Sequence, residues 1–262
     1  MMLITLTTDF GVSSPYVAVM KGSLLSVCRD VQLVDLTHAI SPQDVRQAAV
    51  VLADVTPFFP TGTLHVVVVD PGVGTERRII YGEIGEQQYL APDNGVLSYL
   101  AKQSPPKKLI HLTERQFWRE SISHTFHGRD IFAPVAGHLA AGVSPESLGS
   151  ALDQMIELDW PAPEFSQDQI RGEVLSVDSF GNVITNIRLV EIRKWASGSE
   201  FVVSAGRGLA EFHGTYGDAS PDTLIALEDS QGRLEIAHVN GNASTALGVS
   251  PGDRSVYVFR KQ

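Results

Sequence analysis

Four consecutive valines at positions 66–69, followed at once by Asp70, constrain the fold of this chain more than any other stretch. β-branched side chains favour extended backbone, and a short unbroken apolar run predicts a strand buried on both faces of a parallel sheet. The carboxyl ends of strands in open α/β sheets face the ligand crevice. We therefore expect Asp70 to face a functional site, with a turn-forming role as the alternative.

The segments around the valines alternate between strand and helix patterns. Residues 3–8 and 31–36 read as strands that lead to Asp9 and Asp35, and the helix after the second strand is expected to have Ser41 as its N-cap. Further strands are expected at 78–83, 87–91 and 108–112, and helices at 15–25, 95–102 and 128–141. This alternation predicts a doubly wound α/β domain.

The pattern changes near residue 165. An extended, proline-containing stretch at 159–163 reads as a linker. Short strands with turn signals follow at 170–177, 182–187, 200–204, 223–228, 233–238 and 254–259. We expect an α/β N-terminal domain over residues 1–164 and a small all-β, barrel-like C-terminal domain over residues 165–262.

Charge and cysteine content exclude several classes of protein. The 262 residues carry a formal net charge of −10, which argues against nucleic acid or an anionic membrane as the main partner. The single cysteine, Cys28, excludes an intrachain disulfide framework and a cysteine-rich zinc site. No signal peptide and no apolar run of about 18 residues is present, so we expect a cytoplasmic protein.

Two groups of polar residues in the first domain are candidates for chemistry. Arg77 follows Asp70 across a Pro-Gly-Val-Gly loop, and His127 stands directly before a predicted helix. The alternative for the first pair is a structural salt bridge. Asp9, Asp35 and Asp70 at successive strand ends suggest a divalent metal site, or contacts with ligand hydroxyls and an ammonium group. The alternative is that one or two of them cap turns or helices, and no HExxH signature is present.

Six motifs together resemble one known family. They are TTDFG at 7–11, VVDPGVGTERR at 68–78, APDNG at 91–95, TFHGRD at 125–130, DSFGNVITN at 178–186 and EIAHVNGNAS at 235–244. In this order they resemble the S-adenosylmethionine hydroxide adenosyltransferases, the adenosine-forming hydrolases related to fluorinase and chlorinase. The last two motifs taken alone would be read as ordinary turn chemistry.

The resemblance implies an activity and a site. It implies hydrolysis of S-adenosylmethionine to adenosine and L-methionine, without a cofactor or metal, in a homotrimer whose substrate lies between subunits. The catalytic residues that it implies are Asp70, Arg77 and His127. The substrate-binding residues that it implies are Asp9, Phe126, Phe180, Asn182, Tyr216, Asn242 and Ala243. Fluorinase has a tyrosine where Asp70 stands and a small hydroxyl residue where Gly128 stands, so fluorination is not expected.

The chemistry limits what Asp70 can do. Bulk water has a pKa of about 15.7 and an ordinary aspartate about 3.9, so complete proton transfer before attack would cost about 16 kcal/mol. We therefore expect the three catalytic residues to hold a water in line with C5′, and its proton to leave as the C–O bond forms. The alternatives are a metal-dependent phosphoesterase that uses Asp9, Asp35, Asp70 and His127, and a nucleoside-binding protein without turnover.

Overall fold

A computed structural model describes residues 1–261. The chain divides into two compact units, Met1–Asp159 and Trp160–Gln262. Among the described residues, no helix is both long and apolar enough to cross a bilayer.

The first unit contains a seven-stranded mixed sheet with helices. The strands are β1 (Met2–Thr8), β2 (Val31–Thr37), β3 (Leu64–Val68), β4 (Ile79–Ile84), β5 (Gln87–Pro92), β6 (Pro106–Leu112) and β7 (Gly149–Ala151), and the helices are α1 (Tyr16–Val27), α2 (Val45–Val55), α3 (Ser98–Gln103) and α4 (Ala133–Ala140). The strand order is β2-β1-β3-β5-β4-β6-β7. The first four strands in this order pair in parallel and the remaining pairs are antiparallel.

The valine segment lies at the centre of this sheet. Strand β3 pairs in parallel with both β1 and β5, and all four valines are buried. Because side chains alternate along a strand, Val66 and Val68 pack in one core with residues of α1 and α4, whereas Val67 and Val69 pack in a second core with residues of α2 and α3. The prediction of a strand buried on both faces is confirmed.

Two local features of this unit differ in detail from the sequence prediction. Helix α2 is capped by Asp44, whose carboxylate accepts from the backbone of Gln47 at 2.8 Å, and not by Ser41. The backbone of Gln43 has a φ of 65°, which keeps residues before Asp44 out of the helix. The helix expected from residue 128 begins instead as a π-helical turn, Gly128–Phe132, before α4.

The second unit contains a nine-stranded, mainly antiparallel sheet. Its strands are β8 (Glu164–Phe165), β9 (Gln169–Gly172), β10 (Val174–Val177), β11 (Val183–Arg188), β12 (Phe201–Ala205), β13 (Gly208–Phe212), β14 (Leu224–Glu228), β15 (Arg233–His238) and β16 (Val256–Arg260). The order is β10-β11-β15-β14-β13-β12-β16-β9-β8. Two short helices, α5 (Leu189–Ala196) and α6 (Ala243–Leu247), were not predicted, so this unit is mainly rather than entirely β.

Candidate active site

Asp70 and Arg77 form a close ion pair immediately beyond β3. The guanidinium Nε lies 3.0 Å from Oδ1 and 2.8 Å from Oδ2 of the carboxylate, and Nη2 also donates to Oδ2. The Asp70 side chain is only 4% exposed and that of Arg77 only 10%. An ion pair this well enclosed has a defined geometry, unlike a flexible surface pair. The two side chains therefore hold each other in one defined arrangement.

The glycine-rich loop between these residues makes the pair possible. Gly74 has a φ of +80°, and a Cβ there would lie 2.2 Å from the carbonyl oxygen of His124. Only glycine combines this left-handed backbone with so close an approach. The loop therefore folds back and packs against the segment that leads to His127.

His127 is the third member of the group. Its Nδ1 lies 2.8 Å from Nη2 of Arg77. A guanidinium group can only donate hydrogen bonds, so Nδ1 is the acceptor and a neutral ring carries its proton on Nε2. Burial, and then the charge of Arg77, hold the pKa of His127 below its ordinary value of 6.5. The arrangement thus favours a neutral His127 that can donate from Nε2.

A buried carboxylate positions the segment around His127. Asp130 is fully buried, accepts from Nε of Arg129 at 2.6 Å, and accepts from the backbone of Ser123 at 2.8 Å. A Cβ at Gly128 would lie 3.0 Å from the sulfur of Met20, so this turn packs closely on α1. A π-helical turn is uncommon and occurs often at functional sites.

Asn94 is a residue at this site that the sequence did not single out. Its Nδ2 donates to the carbonyl of Val69 at 2.9 Å, and its Oδ1 accepts from the backbone of Val96 at 3.2 Å. Asn94 thereby holds the peptide that leads into Asp70. The APDNG motif contained this residue, but its long-range hydrogen bond could not be read from the sequence.

Asp9 and Phe126, both expected to bind substrate, lie at the ends of different segments in the first unit. Asp9 accepts through Oδ2 from the backbone of Gln43 at 2.8 Å. Phe126 packs edge-to-face on Phe10 and Tyr16, with ring centroids 5.8 and 5.1 Å apart. These three rings form a partly exposed aromatic cluster.

Asp35 is engaged in different contacts. Its carboxylate lies 2.6 Å from Nζ of Lys21 and 3.1 Å from Nε2 of His38. Although burial opposes it, hydrogen bonds from these two groups hold the pKa of Asp35 below its usual value. Asp35 and Asp70 therefore each have a cationic partner, Lys21 and Arg77 respectively. Within residues 1–261, no cluster of three or more metal-ligating side chains occurs.

A cavity of about 530 Å³ in the second unit contains three of the predicted residues. Phe180, Asn182 and Tyr216 line it. Asn242 and Ala243 do not contribute to its lining: Asn242 caps α6 by accepting from the backbone of Thr245 at 2.8 Å, and Ala243 is fully buried. Asn242 is exposed and remains accessible to a ligand, whereas Ala243 has no exposed surface in this unit.

Two carboxylates that the sequence did not single out accept hydrogen bonds from residues that line this cavity. Glu235 is only 5% exposed and accepts from the hydroxyl of Tyr216 at 2.6 Å. Burial raises the pKa of Glu235, while the Tyr216 hydrogen bond opposes the rise. Asp178 accepts through Oδ1 from the backbone of Asn182 at 2.8 Å. In the sequence, Glu235 stands between the apolar residues Leu234 and Ile236 of β15. An acidic residue in such a position was the feature that could have indicated a role for Glu235.

Comparison with known proteins identifies the family. The N-terminal domain model of the SAM hydroxide adenosyltransferases matches residues 4–149, and the C-terminal domain model matches residues 172–256. The chain belongs to this family.

Several relatives and one solved structure are similar to this chain over three quarters of its length or more. (R)-S-adenosyl-L-methionine hydrolases of Salinispora tropica and Thermus thermophilus are each 38% identical, over 96% and 94% of this chain and 95% of each relative. A fluorinase of Nocardia brasiliensis is 30% identical over 75% of this chain and 74% of its own. A crystal structure of an uncharacterized conserved protein from Thermotoga maritima matches with a TM-score of 0.92 and 37% identity, covering 99% of this chain and 100% of the other.

Proposed function

We propose that this protein hydrolyses S-adenosyl-L-methionine to adenosine and L-methionine, by attack of a held water at C5′. The observation that carries the proposal is the enclosed group of Asp70, Arg77 and His127, joined by hydrogen bonds of 2.8 to 3.0 Å. The family and the names of the similar hydrolases support the same reaction.

The hydrogen-bond pattern gives each of the three residues a different role. A sulfonium is already a good leaving group, so catalysis has to position and activate the water. Arg77 has only donors, and His127 uses Nδ1 to accept from Arg77. The carboxylate of Asp70 is therefore the one acceptor in the group that can take a hydrogen bond from the water. A neutral His127 can donate from Nε2 to the same water.

The proton then leaves the water together with C–O bond formation. Full transfer to a carboxylate beforehand is too costly, at about 16 kcal/mol for ordinary pKa values. As the bond forms, the water proton becomes far more acidic and Asp70 can receive it. The bond between C5′ and sulfur breaks with its electron pair on sulfur, which gives neutral methionine sulfur. Arg77 holds Asp70 in place throughout.

The remaining predicted residues complete the proposal for binding. Asp9 would accept from the ribose hydroxyls, because a carboxylate is a pure acceptor. Phe126, Phe180, Asn182 and Tyr216, with the backbone near Asn242 and Ala243, would enclose the adenine and methionine parts. We further propose a cytoplasmic homotrimer with substrate at subunit interfaces, no cofactor, a doubly wound first domain and a barrel-like second domain.

The decisive experiment is incubation of the purified protein with S-adenosylmethionine, followed by chromatography for adenosine and methionine. We expect both products in equal amounts. Asp70→Ala should abolish hydrolysis while S-adenosylmethionine still binds, because only the water loses its acceptor. Asp30→Ala, at an exposed turn after α1, is the matched control and should be fully active. Undiminished release of adenosine by Asp70→Ala would refute the role of Asp70.

Two additions to the same assay test the alternatives. Retained activity after treatment with EDTA is expected, whereas loss of activity would favour a metal-dependent phosphoesterase. Added chloride or fluoride should give no halogenated nucleoside, because a carboxylate in the position of Asp70 repels a halide. Binding of S-adenosylmethionine without any product would indicate a nucleoside-binding protein.

A further inference from the structure

A second cavity in the first unit is lined by an unusual number of basic side chains. Its volume is about 320 Å³, and its polar lining includes Arg77, His111, Arg115, Trp118, His124 and His127. Among the described residues 1–261, no Asp or Glu contributes to the lining. The whole chain has a net charge of −10, so this basic lining is a local exception. We call it the basic cavity.

One buried donor in the basic cavity has no acceptor within residues 1–261. The indole Nε1 of Trp118 is buried and has no hydrogen-bond partner there. The guanidinium of the exposed Arg115 lies 5.9 Å from the centre of the Trp118 ring. A buried donor without an acceptor costs about 1–3 kcal/mol. Such a cost is removed if a ligand supplies the acceptor.

The chemistry of the ligand follows from these donors. Because Nε and Nη2 of Arg77 already donate to Asp70 and His127, the donors left for a ligand are the Trp118 indole, Arg115 and the histidine rings. Such donors around one volume match an oxyanion, which presents acceptors in several directions. A water occupies about 30 Å³ of liquid, so the basic cavity has room for an oxyanion and further atoms. We propose that the basic cavity is a second ligand site, which binds the phosphate or sulfate group of a small molecule. This site shares Arg77 and His127 with the candidate active site.

The test is calorimetric titration of the whole protein with inorganic sulfate and with inorganic phosphate, at constant ionic strength and without S-adenosylmethionine. We expect saturable binding of one anion per chain at millimolar concentration. Arg115→Gln should weaken it about tenfold, the loss of one charge-assisted hydrogen bond. Trp118→Phe, which keeps the apolar bulk, should weaken it about fivefold. Arg29→Gln, at an exposed turn outside the basic cavity, is the control and should bind as the wild type does.

A second measurement locates the anion. The ring signals of His127 in NMR spectra should titrate at higher pH when sulfate is bound, because a nearby negative charge favours the protonated ring. Heat that does not saturate, or binding that is unchanged in both Arg115→Gln and Trp118→Phe, would overturn the proposal. Neither measurement uses the hydrolase reaction, so a failure of this proposal can be distinguished from a failure of the proposed function.

Discussion

Asn94 donates its side-chain amide to the carbonyl of Val69, with 2.9 Å between the two atoms. The bond joins the segment after β5 to the peptide immediately before Asp70. Since a strand end otherwise frays, this contact gives the carboxylate of Asp70 a defined place beside Arg77.

We expect Asn94→Ala to lower kcat about tenfold and to leave KM nearly unchanged, because Asn94 positions Asp70 through the backbone. The free energy of unfolding should fall by about 1 kcal/mol for the lost hydrogen bond. Steady-state kinetics and urea unfolding measure the two effects. Gln88→Ala is the control, because its amide also donates to a backbone carbonyl, that of Gly62, but far from Asp70 along β5. Equal kinetic effects in both variants would contradict the positioning role.

The loop between Asp70 and Arg77 offers a second matched comparison. Gly74 and Gly62 have almost the same φ, +80° and +81°, but only at Gly74 does a Cβ meet another residue, at 2.2 Å from the carbonyl oxygen of His124. Gly62→Ala should cost about 1 kcal/mol of stability, for the left-handed backbone alone. Gly74→Ala should lower stability by more than this, because its Cβ also meets the His124 carbonyl, and it should lower kcat as well. Thermal unfolding and kinetics check both, and full activity of Gly74→Ala would contradict the close packing.

The buried His65 should make stability depend on pH. Burial lowers its pKa from 6.5 to about 4, and its Nδ1 lies 2.7 Å from the hydroxyl of Thr5. Between these pKa values the unfolded chain binds more protons, so stability is complete above about pH 6.5 and falls as pH decreases towards 4.

Between pH 7 and pH 5, the contribution of His65 to the free energy of unfolding should fall by about 2 kcal/mol. Urea unfolding of the wild type and of His65→Gln at both pH values measures this fall. The free energy of unfolding of the variant should change by about 2 kcal/mol less between the two pH values than that of the wild type. Other buried histidines contribute equally to both proteins, so they cancel in the difference. An identical pH dependence in the two proteins would show that His65 is not held neutral.

Tyr216 connects the cavity of the second unit to Glu235, at 2.6 Å. Tyr216→Phe should raise KM about tenfold with little change in kcat, because it removes a polar group of this cavity and leaves Asp70, Arg77 and His127 unchanged. Tyr257→Phe, on β16 and stacked on Phe259, is the control. A fall in kcat at constant KM would assign Tyr216 to the chemical step instead.

Much of the local structure could be predicted from the sequence, because apolar periodicity and turn residues act over short distances. Strands β1 to β6 and helices α1 and α2 are found close to their expected positions, whereas the short strand β7 was not predicted. The cap of α2 and the π-helical turn at Gly128 were missed, since both depend on backbone conformations that the residue types permit but do not require. Helix α5 was missed because it is short and follows β11 without a break.

The sequence by itself determined that a strand of valines is buried and ends in Asp70, and its motifs named the residues of the candidate site. Only the tertiary structure decided which groups meet. It paired Arg77 with both Asp70 and His127 but Asp35 with Lys21, and it brought Asn94 to Val69. The physical reason is that hydrophobic patterning is local in the chain, whereas hydrogen bonds and ion pairs between distant segments depend on how the packed elements place them.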